Sequence, residues 1–380
     1  MTTFLLYDDA VRSPEMRHEI GELVMDPLTF VEVEGRRIVI ASNLEVSVLE
    51  RREDVIDDVW NIHDLGVEEL VTDSSFPHAL VGPEVVRRAL DKLGVSAVCV
   101  PPTFRIQVAD YLRDKGVEVT VDADAWAARR RQKTPAELEG TERAQRAADT
   151  AVLAAVRMIR EAEPMSGNRL RFEGEVLTCE WIREVMTAEL RTQGAASDDI
   201  IVQTGDDCMK GHDVGLGPVL PDQSLIIDCF PQDRRSGAFS DMTRTFVPGT
   251  PSKELQKLHA DCKAALDIAF DALRPGRADA YRAVAEHFHS QGYPTQLRHD
   301  GAGPLVEGFS HSLGHGVGLE VHERPWIGRR ADELVEGDVI AVEPGLYFRG
   351  IGGVRLEDTV VVTSSGVEHF TDPFPYDLQP

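Results

Sequence analysis

Short apolar runs and amphipathic stretches follow one another through the first 125 residues of the chain. Residues 30–33 and 37–40 are rich in β-formers and flank Glu34-Gly35, which predicts a β-hairpin. Residues 82–93 and 104–115 have helical spacing, and residues 96–100 and 117–121 read as short strands. The pattern therefore indicates a small α/β unit.

A charged segment, residues 129–133, separates this unit from a longer one. Thr134 can cap a helix that has Pro135 at its first position and Glu137 three residues after the cap. Apolar residues recur at helical spacing up to about residue 163. We therefore predict a long helix directly after the boundary.

Helices and strands then occur in blocks through the rest of the chain. Helices are predicted at 173–193, 251–273 and 279–291, and strands at 200–202, 225–230 and 241–246. Residues 309–363 read as strands joined by glycine-rich turns. This order predicts an α+β fold for residues 129–380, preceded by the α/β domain of residues 1–128.

Composition and charge exclude several classes of protein. A length of 380 residues suits two domains, and no apolar run approaches the ~20 residues of a membrane span. The net charge of −25 would repel nucleic acid and anionic membranes. The five cysteines form no CxxC pair, and residues 1–4 carry no basic leader. We expect a cytoplasmic protein that binds neither nucleic acid nor membrane.

Four carboxylates and one histidine in the second half suggest the chemistry. Most of them interrupt apolar, strand-like segments, where a buried carboxylate is costly unless it is paired or holds a metal. They are Asp228 after Leu225-Ile226-Ile227, Asp241 in DMTRTF, His315 in HSLGHGVG, Glu343 in AVEPG and Glu357 in VRLED. Together they predict a site for two hard divalent cations.

Strand periodicity predicts which side chains share a face. Alternation groups Asp241 with Thr243 and Thr245, and it places Arg355 beside Glu357. Taken singly, each acid has an ordinary explanation: a strand end for Asp228, a turn for Glu343, or a structural salt bridge between Arg355 and Glu357. Taken jointly, four like charges in one low-dielectric pocket cannot all stay ionised without cations.

Several histidines are candidates for the same site. Glycines around His315 disfavour a helix, so we expect a loop leading into a strand, with one imidazole directed inward. His311, His322 and His212 are further candidates, or else exposed loop histidines. Cys229 should face the opposite side of its strand from Asp228, in the core.

The motifs DMTRTF, HSLGHGVG, VEPGLY and RLED, with the ligand order Asp, Asp, His, Glu, Glu, resemble the pita-bread metallopeptidases. This family includes methionine aminopeptidase, Xaa-Pro aminopeptidase and Xaa-Pro dipeptidase (prolidase). The resemblance covers residues 130–370, and the N-terminal part resembles the smaller domain of the creatinase branch. It implies a pita-bread catalytic domain after a creatinase-type α/β domain. Segments 164–172 and 232–237, the second read as a hairpin tip, are longer than the family pattern.

The resemblance also implies roles for individual residues. Asp228 would chelate one metal, Asp241 and Glu357 would bridge both, and His315 and Glu343 would complete the second. Glu343, His322 and His212 would act in catalysis, and His311, Arg355, His212 and His322 would contact substrate.

The implied activity is hydrolysis of Xaa-Pro bonds by a water shared between two cations about 3.5–4 Å apart. We expect Mn²⁺, with Co²⁺, Zn²⁺ or Fe²⁺ as substitutes, and small proline-containing peptides as substrates of a homodimer. An Xaa-Pro dipeptidase is the first interpretation. The competing interpretations are an aminopeptidase on longer peptides, a creatinase-like hydrolase and a non-catalytic pita-bread binding protein.

Overall fold

A computed structural model describes residues 2–379 of the chain. The chain packs as two compact units, one ending at Arg130 and the other beginning at Arg131. We call them the N-terminal unit and the C-terminal unit.

The N-terminal unit alternates strands and helices along the sequence. Its strands are β1 Phe4–Asp8, β2 Leu28–Val33, β3 Arg36–Ala41, β4 Asp58–Asn61, β5 Ala97–Val100 and β6 Glu118–Val121. Its helices are α1 Pro14–Ile20, α2 Val46–Leu49, α3 Val67–Thr72, α4 Val81–Leu93, α5 Ile106–Asp114 and α6 Ala123–Arg131. The predicted elements of this unit are confirmed, with ends that differ by one or two residues.

These strands form one mixed sheet in the order β4-β3-β2-β1-β5-β6. Neighbouring side chains in β1 point to opposite faces, so Leu5 and Leu6 enter two different apolar clusters. The hairpin of β2 and β3 turns at Glu34 and Gly35, whose φ angles are 53° and 81°. Positive φ at both turn positions matches the twist of the strands.

The C-terminal unit contains most of its helices before and between two groups of strands. Its helices are α7 Pro135–Glu161, α8 Cys179–Thr192, α9 Lys253–Ala272 and α10 Ala280–Ser290. The first group of strands is β7 Glu163–Met165, β8 Arg169–Phe172, β9 Glu175–Val176, β10 Ala195–Ala196, β11 Ile201–Thr204, β12 Leu225–Cys229, β13 Gln232–Asp233 and β14 Met242–Phe246. The second group is β15 Gly314–Gly316, β16 Glu323–Ile327, β17 Val339–Val342, β18 Gly345–Phe348, β19 Gly352–Arg355, β20 Asp358–Thr363 and β21 Gly366–His369.

The start of α7 is as predicted, but the start of α8 is not. Thr134 and Glu137 form the complete capping box at the N-terminus of α7. Helix α8 begins at Cys179, capped by Thr178, rather than near residue 173. Residues 163–176 instead form the small sheet β7-β8-β9, which accounts for the long connection between the two helices.

The hairpin tip predicted at 232–237 is also more ordered than an open loop. Gln232 and Asp233 pair with Ala196 and Ala195 of β10. The buried Asp233 accepts hydrogen bonds from Arg143 of α7, with Nη2 to Oδ2 at 2.9 Å. The tip is therefore fastened to the long helix.

Two sheets of the C-terminal unit each pack one face with a pair of helices, and the opposite face of each carries both apolar and polar side chains. The sheet β11-β12-β14 packs apolar residues such as Ile227 and Met242 with residues of α7 and α8. The sheet β16-β15-β17-β20-β21 packs residues such as Val342 and Val360 with those of α9 and α10. A bridge between Thr243 and Glu357 joins β14 to the segment between β19 and β20. The bridge therefore brings the polar residues of the two sheets close together.

Within residues 2–379, no helix has the length and apolar character needed to cross a membrane.

One buried carboxylate links α4 to α5. Glu84 accepts hydrogen bonds from Arg87 at 2.7 and 2.8 Å, from Arg88 at 3.0 Å and from the Tyr111 hydroxyl at 2.8 Å. The hydrogen bonds from Arg87 outweigh burial and lower the pKa of Glu84 to about 2. The ionised form of Glu84 is therefore the one that stabilises the N-terminal unit.

Substitution Glu84→Gln should destabilise α4 and α5 by about 2 kcal/mol at pH 7, because charged hydrogen bonds are lost. A lowered folded pKa contributes stability above the usual value of 4.5 and loses it as the pH falls towards about 2. The difference between wild type and variant should shrink over that interval. Hydrogen–deuterium exchange of α4 and α5 peptides in the intact protein measures it.

The matched control is Asp91→Asn, which removes the exposed carboxylate that also pairs with Arg87. An exposed pair contributes less than about 1 kcal/mol. If the two substitutions destabilised α4 and α5 equally at pH 7, Glu84 would not be the residue that links these helices.

Candidate metal centre

Two aspartates on neighbouring strands begin the site. Asp228 lies in β12 between Ile227 and Cys229, which point into the apolar core, so its carboxylate faces the other side. Cys229 is thus a core residue, as predicted. Asp241 stands directly before β14, where its N–H donates to Thr359 Oγ1 at 2.9 Å and its carbonyl accepts from that hydroxyl at 2.8 Å. Both carboxylates are buried and fixed by the backbone.

His315 comes from the middle of the short strand β15. A Cβ on Gly314 would lie 2.0 Å from the carbonyl oxygen of Ala341, and one on Gly316 would lie 2.3 Å from that of Arg324. Glycines on both sides therefore let the neighbouring strands approach. His315 Nδ1 lies 3.1 Å from the Gly316 carbonyl oxygen. A carbonyl only accepts, so Nδ1 carries the proton and Nε2 keeps its lone pair.

The two glutamates are held at the ends of strands. Glu343 follows β17, and its N–H donates to the Leu313 carbonyl at 2.8 Å. Glu357 lies between β19 and β20, and its N–H donates to the Thr243 carbonyl at 3.0 Å. The Thr243 hydroxyl also donates to Glu357 Oε2 at 2.6 Å. The threonine predicted to share a face with Asp241 thus orients a neighbouring acid.

These five side chains line one cavity. His315 Nε2 lies 3.8 Å from Asp241 Oδ2 and 3.9 Å from Glu343 Oε1. One ligand atom each from Asp241, His315 and Glu357 lie within 4.8 Å of one another. Asp228 Oδ1 and Asp241 Oδ1 are buried without a hydrogen-bond partner in the described chain.

The electrostatics of the acids show what the site requires. Burial and then Glu357 raise the pKa of Asp241 well above its usual range, and burial and then Glu343 do the same for the pKa of Glu357. Burial raises the pKa of Glu343 to about 7, although Arg355 opposes the shift. Burial lowers the pKa of His315 to about 4, which leaves a neutral imidazole. These carboxyl groups ionise with difficulty unless a cation is present, and the neighbouring imidazole is neutral. Such a set of donors fits hard divalent cations.

Arg355 is the cation that the site already contains. Its Nη2 donates to Asp228 Oδ2 at 2.6 Å, and its Nε donates to Thr243 Oγ1 at 3.2 Å. The sequence left open a salt bridge between Arg355 and Glu357, but the guanidinium pairs with Asp228 instead. Strand alternation placed Arg355 on the correct face and could not identify its partner on another strand.

Tyr347 is a site residue that the sequence reasoning missed. Its hydroxyl lies 3.1 Å from Arg355 Nη1 and 3.1 Å from His311 Nε2. It belongs to the VEPGLY motif, and alternation along β18 was the signal that could have found it, since Leu346 enters the core. His311 reaches the cavity and lies 3.9 Å from Glu343, measured from Nδ1 to Oε2.

His212 and His322 line the outer part of the cavity and remain exposed. The His322 ring lies 4.2 Å from the His315 ring and 6.2 Å from the His212 ring, measured between centroids. The buried Gln203 side chain donates to the carbonyls on either side of His212, at 3.2 and 2.6 Å. All four residues predicted to contact substrate therefore line the same cavity.

The cavity has a volume of about 550 Å³, which suits a small ligand. Much of its wall away from the acids is apolar. The apolar lining residues are Ile201, Met209, Val214, Phe230, Val306 and Val321. The site therefore combines a charged floor with a hydrophobic wall.

Comparison with known proteins gives a consistent result. Residues 139–364 match metallopeptidase family M24. The chain is 33% identical over 247 residues to the Xaa-Pro dipeptidase of Pyrococcus furiosus. That match covers 63% of this chain and 62% of the relative, so the aligned part spans less than two thirds of the relative's length.

Solved structures resemble nearly the whole chain. The Xaa-Pro dipeptidase from Bacillus anthracis has a TM-score of 0.77 at 23% identity, covering 99% of this chain and 94% of its own. The X-Pro aminopeptidase from Thermotoga maritima also has a TM-score of 0.77, at 21% identity, covering 100% and 97%. Similarity at such low sequence identity is evidence for the fold alone. They confirm the α+β pita-bread fold that the motifs predicted.

Substitution Asp241→Asn should make the metal-free protein more stable than the wild type and the Mn²⁺-loaded protein less stable than the wild type. In metal-free protein at pH 7, a carboxyl with a raised pKa costs stability, so the amide should raise Tm by about 3 °C. Addition of Mn²⁺ should raise the Tm of the wild type and leave that of the variant nearly unchanged. Differential scanning calorimetry of the intact protein measures both effects.

Asp198→Asn is the matched control, because Asp198 is exposed and outside the set of cavity-lining residues. It should respond to Mn²⁺ like the wild type. If divalent cations left the Tm of the wild type unchanged, the metal assignment would be contradicted.

Proposed function

The chain belongs to metallopeptidase family M24, and on this basis we propose that it is a dinuclear metal-dependent exopeptidase that hydrolyses Xaa-Pro dipeptides. The observation that carries the proposal is the convergence of four acids and one imidazole on one cavity, with two buried carboxylate oxygens lacking partners in the described chain. The similarity to the Xaa-Pro dipeptidases of Pyrococcus furiosus and Bacillus anthracis supports the choice of substrate.

The family resemblance supports the choice of ligands. Asp228 would hold one cation, Asp241 and Glu357 would serve both, and His315 and Glu343 would hold the second. When bound, the cations would lower the pKa of a shared water and polarise the scissile carbonyl. We propose Mn²⁺ as the working metal, because oxygen-rich donors with one imidazole suit it; Co²⁺, Zn²⁺ and Fe²⁺ are the metals that could replace it.

Glu343 is the proposed proton carrier. Its carboxylate lines the cavity, with Oε1 3.9 Å from His315 Nε2 and Oε2 3.9 Å from His311 Nδ1, so it is placed to accept a proton and release it again. It would take the proton of the attacking water and deliver it to the proline nitrogen, which has no hydrogen of its own. His322 and His212 would donate to the developing oxyanion or to the leaving group.

Recognition of the peptide would use the remaining polar groups of the cavity. A dipeptide presents a free carboxylate, which His311 or Arg355 would meet. The nitrogen atoms of Arg355 already donate to Asp228, Thr243 and Tyr347. Two of its five N–H groups remain for a carboxylate. A second candidate is an Xaa-Pro aminopeptidase, which acts on longer peptides and needs no carboxylate receptor. The similarity to the Thermotoga maritima enzyme is consistent with it.

A creatinase-like hydrolase and a non-catalytic binding protein have less support than either peptidase. Neither of them needs a complete set of metal donors, which this cavity has.

We further propose that the protein is a cytoplasmic homodimer. All five cysteines are free and buried, as expected in a reducing compartment. Light scattering on the intact protein tests the dimer.

Peptide length separates the candidate activities. The Mn²⁺-loaded protein should release proline from Gly-Pro and Ala-Pro, and Asp241→Ala should reduce kcat/KM by more than about 100-fold through loss of a metal ligand. Chromatography of the products measures both. Cleavage restricted to tripeptides such as Gly-Pro-Ala would favour the aminopeptidase, and no cleavage of any peptide would favour a binding protein. Near-normal turnover by Asp241→Ala would overturn the site assignment.

Metal identity is tested on protein purified without chelator. Inductively coupled plasma mass spectrometry should find about two equivalents of divalent metal per chain. EDTA should abolish activity, and Mn²⁺ should restore it better than Co²⁺, Zn²⁺ or Fe²⁺. Full activity in excess EDTA would contradict metal-dependent hydrolysis.

A further inference from the structure

We propose that Asp199 selects substrates with a cationic residue, lysine or arginine, before the proline. This inference rests on the proposed peptidase function and specifies its substrate class. Asp199 lines the cavity, but it belongs neither to the predicted metal donors nor to the predicted substrate contacts.

Backbone alternation places Asp199 on the wall of the cavity. Asp199 and Ile201 line the cavity, whereas Ile200 and Val202 are buried in the core at 2% and 0% exposure. Ile201 is the cross-strand partner of Asp228. Two residues along an extended chain span about 7 Å, so Asp199 lies roughly that far along the chain from the level of Asp228.

Local hydrogen bonds fix the backbone of Asp199, and its carboxylate remains free to pair with a cation. Asp199 Oδ1 accepts the N–H of Ile200 at 2.9 Å. The Ser197 hydroxyl donates to the Asp199 carbonyl and lies 3.4 Å from the Phe230 carbonyl oxygen. The side chain is exposed, and no lysine or arginine within residues 2–379 forms an ion pair with it.

The charges in the cavity indicate what this carboxylate meets. The four predicted metal donors would be offset by two divalent cations, and Asp228 also pairs with Arg355. Asp199 is the cavity-lining acid outside that set. The Asp199 carboxylate would therefore interact with the substrate.

The neighbouring wall fits the stem of a long cationic side chain. Ile201 and Phe230 line the cavity beside Asp199. Lysine and arginine bury their methylene stems against apolar surface and keep the charged head in water near a counter-ion. A side chain of this shape would contact both features, whereas methionine would contact only the apolar one.

The experiment compares kcat/KM for Lys-Pro and Met-Pro with the intact, Mn²⁺-loaded protein. The wild type should prefer Lys-Pro, and Asp199→Asn should lower the Lys-Pro to Met-Pro ratio about twofold to fivefold. Asp198→Asn removes the adjacent exposed carboxylate, which is outside the cavity lining, and should leave the ratio unchanged. Asp199→Lys should raise the ratio of Glu-Pro to Met-Pro by reversing the charge.

Each result decides a different question. An unchanged ratio in Asp199→Asn would overturn the inference while leaving the peptidase function standing. An equal fall for both dipeptides would also overturn it, because it would place the substrate α-ammonium, common to both, at Asp199. No hydrolysis of either dipeptide by the loaded wild type would reject the proposed function, and this inference with it.

Discussion

Mutual repulsion among three buried carboxylates and the half-buried Glu343 is the constraint that shapes the C-terminal unit. Asp241 and Glu357 are 4% and 2% exposed, so water screens their interaction only weakly. Such a group is stable only when cations or protons neutralise it. Arg355 offsets part of the charge through Asp228. The divalent cations that we propose would offset the rest.

The fold supplies this arrangement through strand periodicity. Near Asp228 and Glu357, apolar residues alternate with the ligands along the extended chain, and these apolar residues pack with the helices. Around Asp228 they are Ile227 and Cys229, which join residues of α7 and α8. Around Glu357 they are Leu356 and Val354, which join residues of α9 and α10. Core formation on the two helical faces therefore turns the acids towards a shared cavity, at a cost in stability that metal binding would reverse.

Much of this could be predicted from the sequence because it depends on local rules. Alternation predicted the faces of Asp241 and Arg355, and the capping box predicted the start of α7. The sequence was wrong, undecided or silent where contacts between distant residues determine the structure. The sheet β7-β8-β9 replaces the first turns of the helix predicted from residue 173. Arg355 pairs with Asp228, 127 residues away, rather than with its neighbour on the strand. Tyr347 gained a role only once its strand was placed beside Arg355.

Anomalous diffraction from crystals grown with Mn²⁺ would locate the proposed cations themselves. We expect two manganese peaks per chain in the cavity, with ligands from Asp228, Asp241, His315, Glu343 and Glu357. A single peak, or manganese bound away from these side chains, would contradict a dinuclear centre at this site.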